Sequence, residues 1–367
     1  MEDLDMNAAF WQRKKVLLTG CTGFKGSWLS LWLQGLGADL VGYSLEPPTR
    51  PNLFTLADVA KKMTSLRGDV LDLECLRSVA MEHQPEVVFH LAAQSLVRHS
   101  YTDPVGTFAT NVMGTVNLLE AVRVVPSVQA VLVITTDKCY ESLEHKRAYR
   151  ETDPLGGSDP YSGSKASAEI VTQVYRRSFF QVPNRIREIG VATARAGNVI
   201  GGGDWAPDRL IPDTMRAVLE GKEVLIRNPQ AIRPWQHVVE PLYGYLLLAE
   251  KLCENPGQFS GSWNFGPEEA DSLPVSALLN RFVELWGPGL SWRVQDGQHP
   301  HEAGYLKLDS AKSRRELCWT PTWKLDCALK ATVDWYKAYQ SQHDVCQLTR
   351  DQIRLFQQQL RPMEQLQ

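Results

Sequence analysis

Tyr161 and Lys165 stand four residues apart in the stretch SDPYSGSKASAEIV. On a helix they share a face, and an ammonium beside a phenol favours the phenolate, lowering a pKa that starts near about 10. A tyrosine so placed can act as a base near neutral pH. Taken alone, a Tyr and a Lys at this spacing are ordinary helix surface. The preceding VLVITTDKCY shifts the balance. Thr136, Asp137 and Lys138 follow directly on an apolar strand, and sites collect at strand ends in sheets with alternating helices.

The elements that must position these groups are legible nearby. Residues 130–134 form a buried strand, and Ser158 or Asp159 is placed to cap a helix over 161–180 with Pro160 at its first position. Near the N-terminus, the apolar run 15–19 leads into Gly20-Cys-Thr-Gly23-Phe-Lys-Gly26 and a helix over 27–36. Glycines at 20, 23 and 26 allow a tight turn and close approach to a phosphate, which the helix N-terminus favours. A glycine-rich turn that binds nothing is the plainer alternative; a strand before and a helix after weigh against it.

Residues 39–43 are a second strand. The acidic residue that takes ribose hydroxyls in dinucleotide folds is replaced at its end by Ser44, with Glu46 two residues on and Arg50 near. NAD is favoured over NADP, and these residues alone leave the choice open. Met63 to Val70 reads as a third strand; Asp69 at its end can meet an adenine amino group or cap a helix over 71–82. The strand 86–93 ends in Leu91, Ala92 and Ala93, small enough to lie against a cofactor. A long helix over 103–124 carries Asn111, a polar residue expected to be satisfied by local backbone. A further helix and a strand over 191–196 complete a strand–helix alternation that predicts an α/β protein with a doubly wound parallel sheet.

From residue 201 the texture changes to loops rich in glycine, tryptophan and charge: GGGDWAPDRLIP, IRPWQHV and HPHEAGY. Arginines in such loops suit a pyrophosphate. The glutamine-rich tail after 345 reads as a peripheral helix. Composition fits a soluble globular protein, with 43% hydrophobic and 22% charged residues among 367. A net charge of -3 argues against nucleic acid. The acidic start MEDLDMNAAFW lacks signal-peptide features, and the longest apolar run, 242–249, is too short to span a bilayer. Seven scattered cysteines without CxxC spacing indicate neither a zinc site nor a disulfide framework. A reduced, cytoplasmic protein with no metal is the expectation.

Gly20-x-x-Gly23-x-x-Gly26, Thr136 and Tyr161-x-x-x-Lys165 together resemble the extended short-chain dehydrogenases/reductases. Thr136-Asp137 resembles their nucleotide-sugar 4,6-dehydratase branch. The segments TGFKGSWLSLWLQ, TTDKCYE, GNVIGGGDWAPDRLIPD, IRPWQHV and HEAGYLKLD are most similar to the CDP-glucose 4,6-dehydratase family. The likeness runs from about residue 10 to 340. It implies a Rossmann-type domain over 10–200, a smaller, interwoven substrate-binding domain mainly over 201–340, and a tail over 341–367.

The resemblance further implies bound NAD and CDP-glucose as substrate. Tyr161 would be the base at the sugar 4-hydroxyl, Thr136 its orienting partner, Asp137 the acid for the departing 6-hydroxyl and Lys165 a cofactor and tyrosine partner. Cofactor contacts would come from Gly20, Thr22, Gly23, Phe24, Lys25, Gly26, Asp69, Leu91, Ala92, Ala93, Tyr161 and Lys165. Substrate contacts would come from Asn198, Arg209, Arg233, His301 and Glu302. Better-known dehydratases have a glutamate where this chain has Lys138, which makes Lys138 the candidate base at carbon 5. A homodimer or dimer of dimers is implied, built on the helices over 103–124 and 161–180. The implied product would serve deoxysugar synthesis for a lipopolysaccharide such as O-antigen. A nucleotide-sugar 4-epimerase would use the same Tyr and Lys without needing Asp137 or Lys138. A non-catalytic dinucleotide-binding sensor has no use for the Thr136, Tyr161 and Lys165 set.

Overall fold

The computed structural model describes residues 7–142, 147–182, 188–295 and 306–360. Six segments form strands β1 (Lys15–Thr19), β2 (Asp39–Ser44), β3 (Thr64–Arg67), β4 (Val87–His90), β5 (Ala130–Ile134) and β6 (Gly190–Ala196). Strands β7 (Asn198–Ile200), β8 (Val224–Ile226) and β9 (Ile232–His237) follow, before β10 (Gly261–Phe265) returns to the main sheet. That sheet has seven parallel strands in the order β10-β6-β5-β4-β1-β2-β3. The last two strands, β11 (Ser272–Pro274) and β12 (Trp292–Val294), belong to small sheets ordered β11-β9-β7 and β12-β8.

Helices cover both faces of the main sheet, which is why β5 can be apolar at every position, AVLVI. Alternation along β1 shows the two layers: Val16 and Leu18 enter one cluster with Trp28, Trp32 and Leu246, while Leu17 enters the other with Val88, Leu118 and Val131. The first cluster extends past residue 201 to Trp319, Trp335 and Phe356. The tail expected at the periphery is a helix, Val345–Leu360, seated on this cluster; Phe356 is fully buried and its ring lies 5.7 Å from Trp32 and 5.6 Å from Trp323. Its glutamines lie between apolar residues spaced to form one buried stripe.

The chain runs outward from β1 to β3 and then resumes on the other side of β1 with β4. This reversal opens a crevice at the carboxyl ends of β1 and β4, where such folds bind ligands. Two local expectations are corrected there. Asp69 does not cap the next helix, Leu73–His83; Asp72 does, accepting from Cys75 N at 2.9 Å. Asp69 Oδ1 instead accepts from Leu71 N at 2.9 Å, since strand β3 ends at Arg67 and leaves Asp69 in the intervening turn.

The helix expected over 103–124 contains a π turn, Ala109–Met113. Its Asn111 is satisfied by distant groups: Oδ1 accepts from Gln94 N at 2.9 Å, and Nδ2 donates to Gln94 O at 3.0 Å and Ser164 Oγ at 2.8 Å. Asn111 thus ties the segment after β4 to the helix that carries Tyr161. No helix among the described residues is long and apolar enough to cross a membrane.

Candidate active site

Asp159 caps the helix Pro160–Tyr175 by accepting from Ser162 N at 2.9 Å, and Pro160 occupies its first turn. Tyr161 and Lys165 therefore face the end of β5, both buried. Lys165 Nζ donates to Ile134 O at 3.0 Å, so the lysine is moored to the strand end. Burial pushes its amine down to about 8, against the pull of Glu169.

The ionisation expected for Tyr161 is corrected. Burial pushes its phenol up to about 12, and the opposing influences are the Thr136 hydroxyl and Arg209 rather than Lys165. The reason is desolvation: a phenolate in a buried cleft loses more hydration than a moored ammonium restores.

Thr136 Oγ1 donates to Asp137 Oδ1 at 3.0 Å and accepts from Lys138 N at 3.3 Å. Asp137 is buried, and its Oδ2 has no hydrogen-bond partner among the described residues. Burial raises its pKa, with Lys138, Thr136, Arg233 and Lys25 opposing. A buried carboxyl with one unengaged oxygen in a cleft is built to exchange a proton with a ligand. Lys138 is half-buried at the edge of the same cleft.

One cleft of about 1060 Å³ is lined by every described residue named from the sequence as a catalytic, cofactor or substrate contact. Its walls include the glycine turn, Asp69 and Leu91 to Ala93, then Thr136, Asp137, Lys138, Tyr161 and Lys165, and also Asn198, Arg209 and Arg233. His301 and Glu302 lie outside the described residues. Gly20 has φ +76, and a Cβ there would meet Ala92 N at 2.6 Å, so turn and β4 segment close on each other only with glycine. Gly23, the N-cap of the helix Phe24–Gly35, offers no side-chain cap, which leaves the first-turn N–H groups for a ligand. A Cβ on Gly23 would meet only Gly20 O at 3.4 Å. This cradle fits a dinucleotide pyrophosphate.

At the ribose end, Ser44 Oγ is 2.7 Å from Thr22 Oγ1, and Glu46 pairs with Arg67 at the cleft rim. Lys25 projects inward, its Nζ donating to Tyr245 OH at 3.3 Å. Burial, with Arg209 and Lys165, pushes it down to about 7.

Several contributors escaped sequence reading. Asp204 binds Arg209 at 3.0 Å, and Arg209 also reaches Ser95 Oγ at 3.1 Å, joining the loop after β7 to the segment after β4. Arg98 and Arg227 flank Asp208 at 2.8 and 3.9 Å across the cleft mouth. The GGGDWAPDR segment hinted at a site, but two of its pairings, Asp208 with Arg98 and Arg209 with Ser95, join residues more than a hundred positions apart. The buried His237, an arene-packed side chain 5.4 Å from Trp28, is pushed down to about 3 by burial and takes no part in the cleft.

A doubly wound parallel sheet, a glycine turn at its switch point and a Tyr-x-x-x-Lys helix facing a Thr at the end of β5 define an extended short-chain dehydrogenase/reductase. Comparison with known proteins gives the branch. Residues 17–256 match the family described as GDP-mannose 4,6 dehydratase, and the chain belongs to that family. It is 51% identical over 331 residues to a CDP-glucose 4,6-dehydratase of Salmonella typhimurium, covering 90% of this chain and 92% of that one. A dTDP-glucose 4,6-dehydratase of Shigella flexneri is 28% identical over 88% of this chain and 93% of its own. Among solved structures, a Bacillus anthracis dTDP-glucose 4,6-dehydratase in complex with NAD superposes with a TM-score of 0.73 at 24% identity, covering 90% of this chain and 98% of that one. A Stenotrophomonas maltophila UDP-glucose 4-epimerase with bound NAD gives 0.77 at 20% identity, covering 90% and 99%. At these identities the structures show the shared fold.

Proposed function

We propose that this protein is a hydro-lyase that converts CDP-D-glucose to CDP-4-keto-6-deoxy-D-glucose and water, with NAD as its resident cofactor. The observation that carries this reading is the buried Asp137, with its unengaged Oδ2, beside Thr136 and Tyr161. A 4-epimerase needs a base at one hydroxyl; a dehydratase needs in addition an acid for a leaving hydroxyl and a base for carbon 5. Residues 10–200 hold the dinucleotide and 201–340 mainly the nucleotide sugar. The glycine turn, Asp69 and Leu91 to Ala93 line the cofactor end, and Tyr161 and Lys165 close it from the opposite side. When bound, NAD supplies the hydride acceptor for oxidation at carbon 4 and the hydride donor for reduction at carbon 6.

The chain's own groups handle the protons. Thr136 Oγ1 orients the 4-hydroxyl, and the Tyr161 phenolate oxygen takes its proton. Burial disfavours that phenolate; the Thr136 hydroxyl and Arg209 draw its pKa back. A ketone at carbon 4 acidifies the hydrogen on carbon 5; Lys138 Nζ receives that proton and returns it to carbon 5 when carbon 6 is reduced. Asp137, kept protonated more readily by its burial, gives its proton to the departing 6-hydroxyl, which leaves as water. Arg209, Arg233 and Asn198 meet the pyrophosphate and nucleotide, with His301 and Glu302 as further substrate contacts.

Incubation with CDP-glucose and a panel of UDP-, dTDP- and GDP-sugars tests the whole reading. A 4-keto-6-deoxy sugar, seen by its alkali-induced absorbance, is expected from CDP-glucose alone. Product from another nucleotide moves the substrate; epimerised or untouched sugars in every tube sink the dehydratase. For Lys138, the Lys138→Gln variant is expected to slow exchange of the carbon-5 hydrogen with solvent by about a hundredfold, measured in deuterium oxide. Unchanged exchange would remove Lys138 from that role.

The assembly we propose is a homodimer, or a dimer of dimers. Tyr101 on the helix Val97–Thr102, Val105 and Met113 on the helical run 104–123, and Ile170 and Val174 on the catalytic helix are exposed apolar residues on helices that pack together, Val105 being 78% exposed. A patch of this kind marks an association surface. Val105→Glu combined with Ile170→Glu is expected to yield a monomer by sedimentation at concentrations where the parent chain is dimeric; a monomeric parent chain would overturn the assignment. A cytoplasmic location and supply of a deoxysugar for lipopolysaccharide O-antigen fit this activity.

A further inference from the structure

Glu169 lies one turn beyond Lys165, so Tyr161, Lys165 and Glu169 form a row at spacing four on the buried face of one helix. The reaction as proposed does not use Glu169. Yet its carboxylate, 2% exposed, collects donors from three neighbouring strands, β5, β6 and β10. Oε1 accepts from Thr135 Oγ1 at 2.5 Å, just past β5, and from Arg195 Nε on β6 at 2.9 Å. Oε2 accepts from Arg195 Nη2 at 2.7 Å, from Thr193 Oγ1 on β6 at 2.7 Å and from Ser262 Oγ on β10 at 3.2 Å. Arg195 spends its remaining branch on Tyr140 OH at 2.8 Å, which in turn donates to Asn264 Oδ1 at 2.7 Å.

A buried ion pair is a poor device for stability, because desolvation consumes most of the attraction. Its position explains it better. Thr135 adjoins Thr136, and Ile134, whose carbonyl moors Lys165, is the residue before Thr135. The clamp therefore sets the spacing between the two halves of the catalytic group.

It also sets a charge. Burial works against the Glu169 carboxylate, but Arg195 and the Thr135 and Thr193 hydroxyls outweigh it and hold its pKa below the usual range. The titratable groups facing Lys165 are Tyr161 and Glu169 on its own helix, Cys139 after β5, His90 on β4 and Lys25 on the glycine-turn helix. Cys139 is pushed well up and His90 down to about 3 by burial, so both are neutral. Glu169 is the anion of the set.

We propose that Glu169 is a positioning residue of this active site: it locks the row Tyr161–Lys165 against the ends of β5 and β6 and supplies the buried negative charge that keeps Lys165 an ammonium. The proposal rests on the dehydratase reading above, which places Tyr161 and Lys165 at the reacting centre.

The test uses the full chain with its cofactor. Glu169→Gln keeps the shape and loses the charge; Glu169→Asp keeps the charge; Glu169→Gln with Arg195→Gln removes both charges, in case the single variant does not fold. Two readouts are followed against pH: acylation of Lys165, located by peptide mass spectrometry, and kcat/KM for keto-sugar formation. Both the Lys165 titration and the alkaline limb of kcat/KM are expected to move to lower pH by about one unit in Glu169→Gln or in the double variant, with activity recovering at the acid end. Glu169→Asp should restore the parent limb. A uniform loss at every pH with an unmoved Lys165 titration would reduce Glu169 to packing and overturn the proposal. A moved titration with an unmoved limb would overturn it as well, by showing that the charge is not used. Labelling needs no substrate, so a parent protein that makes no keto sugar would fail the dehydratase reading while the Lys165 titration still reports on Glu169.

Discussion

Tyr161→Phe is expected to lower kcat on CDP-glucose by about a thousandfold while nucleotide-sugar affinity, measured by calorimetry, changes little. In the proposed reaction the phenol oxygen takes the 4-hydroxyl proton, whereas the buried ring is packing that phenylalanine preserves. Without that base the first oxidation does not start, so rapid mixing with substrate should show no near-ultraviolet absorbance of reduced nicotinamide. A loss below about tenfold would show that another group takes the proton, with Lys25, pushed down to about 7 by burial, the next to examine.

Asp137→Asn is expected to give the opposite transient. The amide still accepts from Thr136 Oγ1, so the 4-hydroxyl is oriented and oxidation proceeds, but no proton is available for the departing 6-hydroxyl. Turnover should fall by about a hundredfold or more, and reduced-nicotinamide absorbance should build up and persist. Absence of that build-up, with turnover equally low, would place Asp137 in the first step instead.

The same variant carries a stability sign. Burial raises the folded-state pKa of Asp137 above its unfolded value, so ionisation favours the unfolded chain. Stability linked to this group is fully present below the unfolded carboxylate range and is lost as pH rises through the folded pKa. Asp137→Asn removes that penalty, and its thermal midpoint at neutral pH should equal or exceed the parent's. A protein that gains stability as it loses turnover is the pattern expected where strain is held for function.

Two structural ties extend this logic away from the reacting atoms. Asn111 holds both the Gln94 backbone and Ser164, so the segment that closes on the glycine turn and the helix that carries Tyr161 share one side chain. Asp204 and Ser95 hold Arg209 between the loop after β7 and the segment after β4. Each fixes the distance between groups that come from different strands, as catalysis by orientation requires.

What the sequence by itself determined was everything carried by neighbours along the chain. Glycines 20, 23 and 26 specify a turn because backbone freedom is a property of those residues; Asp159 and Pro160 start a helix because a cap and a fixed φ act within one turn. Tyr161 and Lys165 then share a face by the helical period alone, and Thr136 to Lys138 sit at a strand end because β5 is apolar throughout. Tertiary structure decided the charges and the partners. Tyr161 rises to about 12 because desolvation depends on all that packs around it, and the lysine four residues away is drawn to the Ile134 carbonyl. Asn111, Arg209 and Glu169 find their partners across gaps of 17 residues or more, apart from Asp204 beside Arg209. The tail helix joins the core through Phe356. Helical period and turn chemistry are short-range; desolvation and long-range pairing exist only once the strands are side by side.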